Sequence, residues 1–214
     1  MAPNIVLITL DECKASAISC YGNKEAYTPN IDSFCDEGVM FTNCFTTFPK
    51  CVPSRCAMLT GRYPHSEGHR TLPGFMIRRE EDNFMTQLRE NGYLTALFGK
   101  NHNVEPDNMN YCFDKHFYTD KGKPYVPDTK DINSPNLYRA FYRHNPRHID
   151  ELHDTYNVKA ACDFVANNSH DPFFLYLDID LPHPVYQNID PYIGKIRQKK
   201  LQAPKKEPLY KAPY

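Results

Sequence analysis

Three apolar runs constrain this chain more than any other feature. Asn4 to Leu10 is almost uninterrupted Ile, Val and Leu, and Tyr93 to Phe98 and Pro172 to Leu177 are similar in character. Such a run without polar alternation reads as a strand buried on both faces, the mark of a parallel sheet covered by helices. Helical patterns lie between them. Thr28 is placed to cap a helix that has Pro29 in its first turn, passes through Phe34 and stops at Gly38. Pro53 to Leu59 reads as a second helix, with Gly61 just past its end. Asn83 to Glu90 follows, with Phe84, Met85 and Leu88 on one face, and Asp150 to Asn167 is the longest. Val39 to Phe41 resembles a short strand. Alternating strands and helices predict an α/β fold, a mainly parallel sheet flanked by helices.

The 214 residues suit one domain, or one large domain cut short. A net charge of −1 gives no argument for nucleic acid or an anionic membrane as partner. No apolar run approaches the ~18–20 residues that span a bilayer. The N-terminus shows no basic region and no small-residue cleavage site, so no signal peptide is read and a cytoplasmic location is expected. An exported form with a trimmed N-terminus is the alternative. The eight cysteines are scattered, which favours reduced thiols over a disulfide framework. Residues 1–184 form the body of the expected domain. Within it, 103–148 is rich in Asn, Asp, Tyr, Lys and Pro and is expected as a surface excursion facing substrate. Residues 185–214 are expected as a basic, Pro- and Lys-rich connecting segment.

Four short segments carry chemistry. Asp11-Glu12 directly follows the first strand, and in open α/β sheets ligands collect at the carboxyl ends of strands. Adjacent carboxylates there suit a hard divalent cation. Cys51-Val52-Pro53-Ser54-Arg55 opens a helix whose unpaired N–H groups attract anions. Gly99-Lys100-Asn101-His102 follows the second strand, and Leu181-Pro182-His183-Pro184 follows the third. A histidine of ordinary pKa suits general acid work at neutral pH.

The order and spacing of these segments resemble the sulfatases. Asn4 to Asp11, Cys20-Tyr21-Gly22-Asn23, Thr28 to Asp32, Gly38 to Asn43 and the run Cys51 to His65 all match the N-terminal pattern of that family. The chain is identified as a member of the cysteine-type, formylglycine-dependent sulfatases, within the alkaline-phosphatase-like superfamily. The resemblance implies that Cys51 is oxidised to formylglycine by a sulfatase-maturating enzyme and that its hydrate is the nucleophile. It implies that Arg55 holds this side chain, that Lys100 binds the sulfate and the nucleophile's oxygen, that His102 handles protons on the diol, and that His183 touches the sulfate and protonates the leaving oxygen. Asp11, Glu12 and modified Cys51 become metal ligands, with calcium favoured and magnesium or manganese as alternatives. Glu12 stands where many relatives carry Asp, so its ligation is left open.

The implied substrate is a small-molecule or carbohydrate sulfate ester. A phosphonate monoester or phosphodiester hydrolase on the same scaffold is the rival enzyme, and a non-catalytic, incomplete module is the rival of another class. Family members contribute a later Asp followed by His or Asn and a further lysine, and no such pair follows residue 184. The core is therefore expected to be C-terminally incomplete: a fragment, a split gene product completed by a C-terminal half or oligomer partner, or a remnant. Weak metal binding and little turnover are expected of these residues alone.

Overall fold

The structure, a computed structural model, describes residues 2–70, 75–123, 142–184, 186–192 and 195. The chain divides into two compact units, Met1–Cys13 with Asn43–Asp190, and Lys14–Thr42 with Pro191–Tyr214.

The larger unit is built on a four-stranded sheet in the order β1-β5-β2-β3. Its strands are β1 (Ile5–Leu10), β2 (Leu94–Gly99), β3 (Lys115–Phe117) and β5 (Phe173–Ile179), and every pairing is parallel. A second, two-stranded parallel pair joins β4 (Tyr142–His148) to β6 (Tyr186–Asp190). The helices of this unit are α2 (Cys51–Thr60), α3 (Pro64–Glu67), α4 (Phe84–Glu90), α5 (Met109–Cys112) and α6 (His153–Asn167).

The two-residue period of a strand sends alternate side chains to opposite faces. On one face Leu97, Phe174 and Tyr176 join Val52, Cys56 and Leu59 of α2 and Met85 of α4. On the other, Ala96, Phe98, Phe173, Leu175 and Leu177 pack on Ala161 and Phe164 of α6. The Phe164 ring meets Phe173 edge-on at 5.4 Å and Phe98 at 5.6 Å. Burial of each large apolar side chain contributes about 1.5–3 kcal/mol, so β2 and β5 anchor the sheet from both sides.

β1 departs from the sequence expectation. Ile5 and Leu7 pack on the α2 layer, but Val6 and Ile8 remain 50% and 53% exposed. It ends the sheet among the described residues, and no described element packs over its Val6–Ile8 face. On α4, Met85 and Thr86 are buried while Phe84 is partly exposed, its ring edge-on to Phe174 at 5.2 Å. Asn83 caps this helix, accepting from the Thr86 amide at 2.9 Å.

The expected surface excursion is in part core. Val104, Cys112 and Phe113 are fully buried, and Lys115–Phe117 adds the β3 edge to the sheet. A Thr95 hydroxyl bond to the Cys112 carbonyl (3.0 Å) and a Thr95 amide bond to the Asp114 carboxylate (2.9 Å) tie this segment down. Residues 124–141 of the excursion lie outside the described residues. Of the expected connecting segment, Tyr186–Asp190 forms β6, and residues 196–214 also lie outside.

In the smaller unit, α1 (Pro29–Glu37) starts at Pro29 and is followed by Gly38, as expected. Thr28 takes the N-cap position without capping the helix N–H groups. Its hydroxyl instead accepts from the Ser19 amide at 3.0 Å and bonds Asp32 at 3.1 Å. Val39 to Phe41 is not a strand, and both Val39 and Phe41 are exposed, with no ladder partner among the described residues. All eight cysteines are free.

Candidate active site

The carboxyl ends of β1, β2 and β5 meet the N-terminus of α2, where most of the expected residues gather. Cys51 is the first residue of α2, so its side chain stands at the helix end that offers unpaired N–H groups. Arg55 lies one turn later on the same face. The helix is held in place by fully buried Val52 and Cys56, and it ends on Gly61 at φ 69°, whose amide bonds the Ala57 carbonyl at 2.9 Å. Cys51, Arg55, Asp11, Glu12 and His183 line one cavity of about 620 Å³. Lys100 and His102 are not among its lining residues.

Asp11 is the hinge of the charge network. Its Oδ1 accepts from Arg55 Nη1 at 3.3 Å and its Oδ2 from Lys100 Nζ at 2.6 Å. Burial opposes its ionisation, but the Lys100 and Arg55 cations outweigh that and hold its carboxyl below the usual range. Glu12 sits at φ 62°, in the left-handed region that only Gly adopts freely. A non-glycine residue held this way costs about 1–3 kcal/mol, which the surrounding structure must offset. Its Oε2 lies 3.9 Å from His183 Nε2, and His183 Nδ1 pairs with the Pro184 carbonyl at 2.7 Å.

Two acids that sequence reasoning passed over complete the network. Asp178, wholly buried, accepts from Arg55 Nε and Nη2, both at 2.7 Å, and from the Thr9 hydroxyl at 2.7 Å. Burial pushes its carboxyl up against the pull of Arg55 and Thr9, and that pairing makes Arg55 hold its proton more tightly. Asp180 accepts from Lys100 Nζ at 2.6 Å through Oδ1, and its Oδ2 lies 3.1 Å from His153 Nε2. Burial opposes its ionisation, yet His153 and Lys100 hold it well below the carboxylate range. Lys100, in turn, keeps its proton despite burial because Asp11 and Asp180 flank it. The available signal was position: two acids at alternate residues where a buried parallel strand ends, Asp178-Ile179-Asp180.

His102, two residues after Lys100, is partly buried, with its Nδ1 lacking a partner. Burial, with Lys100 and Arg55 adding to it, pushes its pKa down to about 4, so the ring is neutral at physiological pH. The residue between Lys100 and His102, Asn101, shapes the turn. Its Nδ2 donates to the Val104 carbonyl at 2.8 Å, and its Oδ1 accepts from the Asn103 and Val104 amides at 3.2 and 3.1 Å.

As to a metal, Asp11, Glu12 and residue 51 share the cavity wall, but both Asp11 oxygens are engaged by cations. Among the described residues no group of three or more His, Cys, Asp or Glu side chains is gathered to hold an ion. These side chains fit a divalent cation only as part of a larger ligand set. No helix among the described residues is long and apolar enough to cross a membrane.

The family model for sulfatases matches residues 3–210. This chain belongs to the sulfatase family. It is 28% identical over 218 residues to human N-acetylgalactosamine-6-sulfatase, covering 90% of this chain and 42% of that one. A protein solved in complex with its substrate, D-glucosamine-2-N,6-O-disulfate, superposes with a TM-score of 0.63 at 26% identity, over 85% of this chain and 35% of that one. The phosphonate monoester hydrolase of Agrobacterium radiobacter shares the fold, with a TM-score of 0.66 at 22% identity over 94% of this chain and 45% of the other. The sulfatase chain thus spans less than half the length of these relatives, and its parallel sheet flanked by helices is their alkaline-phosphatase-like core.

Proposed function

We propose that this sulfatase chain carries the nucleophile and sulfate-binding cations of a sulfuric ester hydrolase acting on a carbohydrate sulfate. The observation that carries the reading is Cys51 at the first position of α2, sharing a cavity with Arg55, Asp11, Glu12 and His183. Two compared proteins, by name or by bound substrate, concern 6-sulfated amino sugars, which supports a sugar sulfate as the substrate class.

In this reading a maturating enzyme converts Cys51 to formylglycine, which hydrates to a geminal diol. One hydroxyl, having lost its proton to solvent, attacks sulfur, the bond from sulfur to the sugar oxygen breaks, and His183 gives that oxygen a proton. His102, neutral at physiological pH, takes the proton from the second hydroxyl. The carbonyl re-forms as sulfate leaves, and water restores the diol. Arg55 and Lys100 stabilise charge on the transferring group. A divalent cation, calcium first among candidates, would be held partly by Asp11, with Glu12 and residue 51 beside it. When bound it would add charge stabilisation and lower the proton affinity of the nucleophile.

The test is turnover of an aryl sulfate and an aryl phosphate diester by the full-length gene product co-expressed with a maturating enzyme, with mass spectrometry of the Cys51 peptide. Sulfate ester turnover that disappears in Cys51→Ala is expected. A fully modified Cys51 with diester but no sulfate ester turnover would transfer the chain to the phosphonate and diester hydrolases.

A further inference from the structure

The cations assigned to sulfate are already engaged within the protein. Lys100 places its ammonium 2.6 Å from both Asp11 and Asp180. Arg55 gives its Nε–Nη2 edge to Asp178 and directs Nη1 at Asp11. Three carboxylates thus surround two permanent cations, with Asp178 buried completely. Asp180 is further tied to His153, and Lys123 Nζ lies 3.8 Å from it on the outer side. The loop itself is clamped, because Asp154 accepts the Asp180 and Leu181 amides at 3.1 and 2.9 Å. Neither acid lines the cavity. Of the two cations Arg55 lines the cavity and Lys100 stands beside it, joined to the wall through Asp11, so each acid bears on the cavity through the cation it holds.

We propose that Asp178 and Asp180 are positioning residues that fix Arg55 and Lys100 and restrain their affinity for a resting sulfate ion. A fork-to-fork pair sets the plane of the guanidinium, and an ammonium shared by two carboxylates has one direction left for a third anion. Tight binding of product sulfate adds nothing to the chemical step, whereas donors held in place favour the charge of the transition state. Negative charge behind the cations lowers their grip on the ion without letting them move. The inference takes from the sulfuryl-transfer reading only the identity of the anion.

Sodium sulfate is titrated calorimetrically into the full chain, in chelator-treated buffer at constant ionic strength. Wild type is compared with Asp180→Asn, Asp178→Asn and, as a control of equal charge change on the exposed face of α6, Asp163→Asn. Asp180→Asn keeps shape and an acceptor but removes one of two anions from Lys100, so sulfate should bind roughly tenfold more tightly. Asp163→Asn should match wild type. In the mature full-length enzyme, Asp180→Asn should lower kcat together with KM and the sulfate inhibition constant, a split that a merely structural role would not produce. If Asp178→Asn fails to fold, Asp180→Asn decides. Sulfate affinity in Asp180→Asn no tighter than in Asp163→Asn, or undetectable in both, overturns the proposal. A gain in affinity without any turnover of sulfate esters would overturn only the sulfuryl-transfer reading.

Discussion

At the scale of single residues, His102 and Gly99 make the sharpest predictions. The His102 pKa falls from 6.5 to about 4 on folding. Between those values the unfolded chain binds more protons, so stability contributed by the neutral ring is complete above about 6.5 and declines as pH falls toward 4. Denaturation midpoints measured from pH 7 to 4 should fall less in His102→Gln than in wild type. Gly99 has φ 95°, and a Cβ there would lie 2.1 Å from the Asp178 carbonyl oxygen. Gly99→Ala must therefore separate β2 from β5 beside Lys100, and should lower the melting temperature and remove sulfate binding together. Asp11, Cys51, Arg55, Lys100 and His102 were legible because each belongs to a short segment that resembles a family motif. Asp178 and Asp180 were not, since the motif that includes His183 begins after them. Their partners lie more than a hundred residues away for Arg55 and eighty for Lys100, a closeness that only the folded sheet creates.

Among the elements, α2 couples the core to the site, since Leu59, about two turns on from Cys51, is buried in the core while Cys51 lines the cavity. Leu59→Ala leaves a void under the helix and should cost about 2–5 kcal/mol, read as a lower midpoint in urea with an unchanged slope. The strands β1, β2 and β5 and the helices α2, α4 and α6 were readable from apolar runs, Pro at helix starts and Gly at ends. The β3 edge was not, because Lys115-His116-Phe117 is short and polar and is recruited by pairing with β2. Val39 to Phe41 shows the converse, since local strand preference without a ladder partner among the described residues leaves the segment irregular and exposed.

For the whole molecule, family and fold could be read from order and spacing, while the balance of charge around the cations required the tertiary structure. The sheet also has a side that the sequence did not foretell. β1 was expected to be covered on both faces, but among the described residues Val6 and Ile8 stand open on a strand that ends the sheet. Such an edge offers unpaired backbone groups beside apolar side chains, the arrangement through which strands of separate molecules join. Produced by itself, the chain should self-associate as its concentration rises, and Ile8→Lys should keep it monomeric in sedimentation while leaving Cys51 modification unaffected. If so, the strand that delivers Asp11 to the cavity would also set solubility, and yield in expression would respond to its outer face before any change in chemistry were seen.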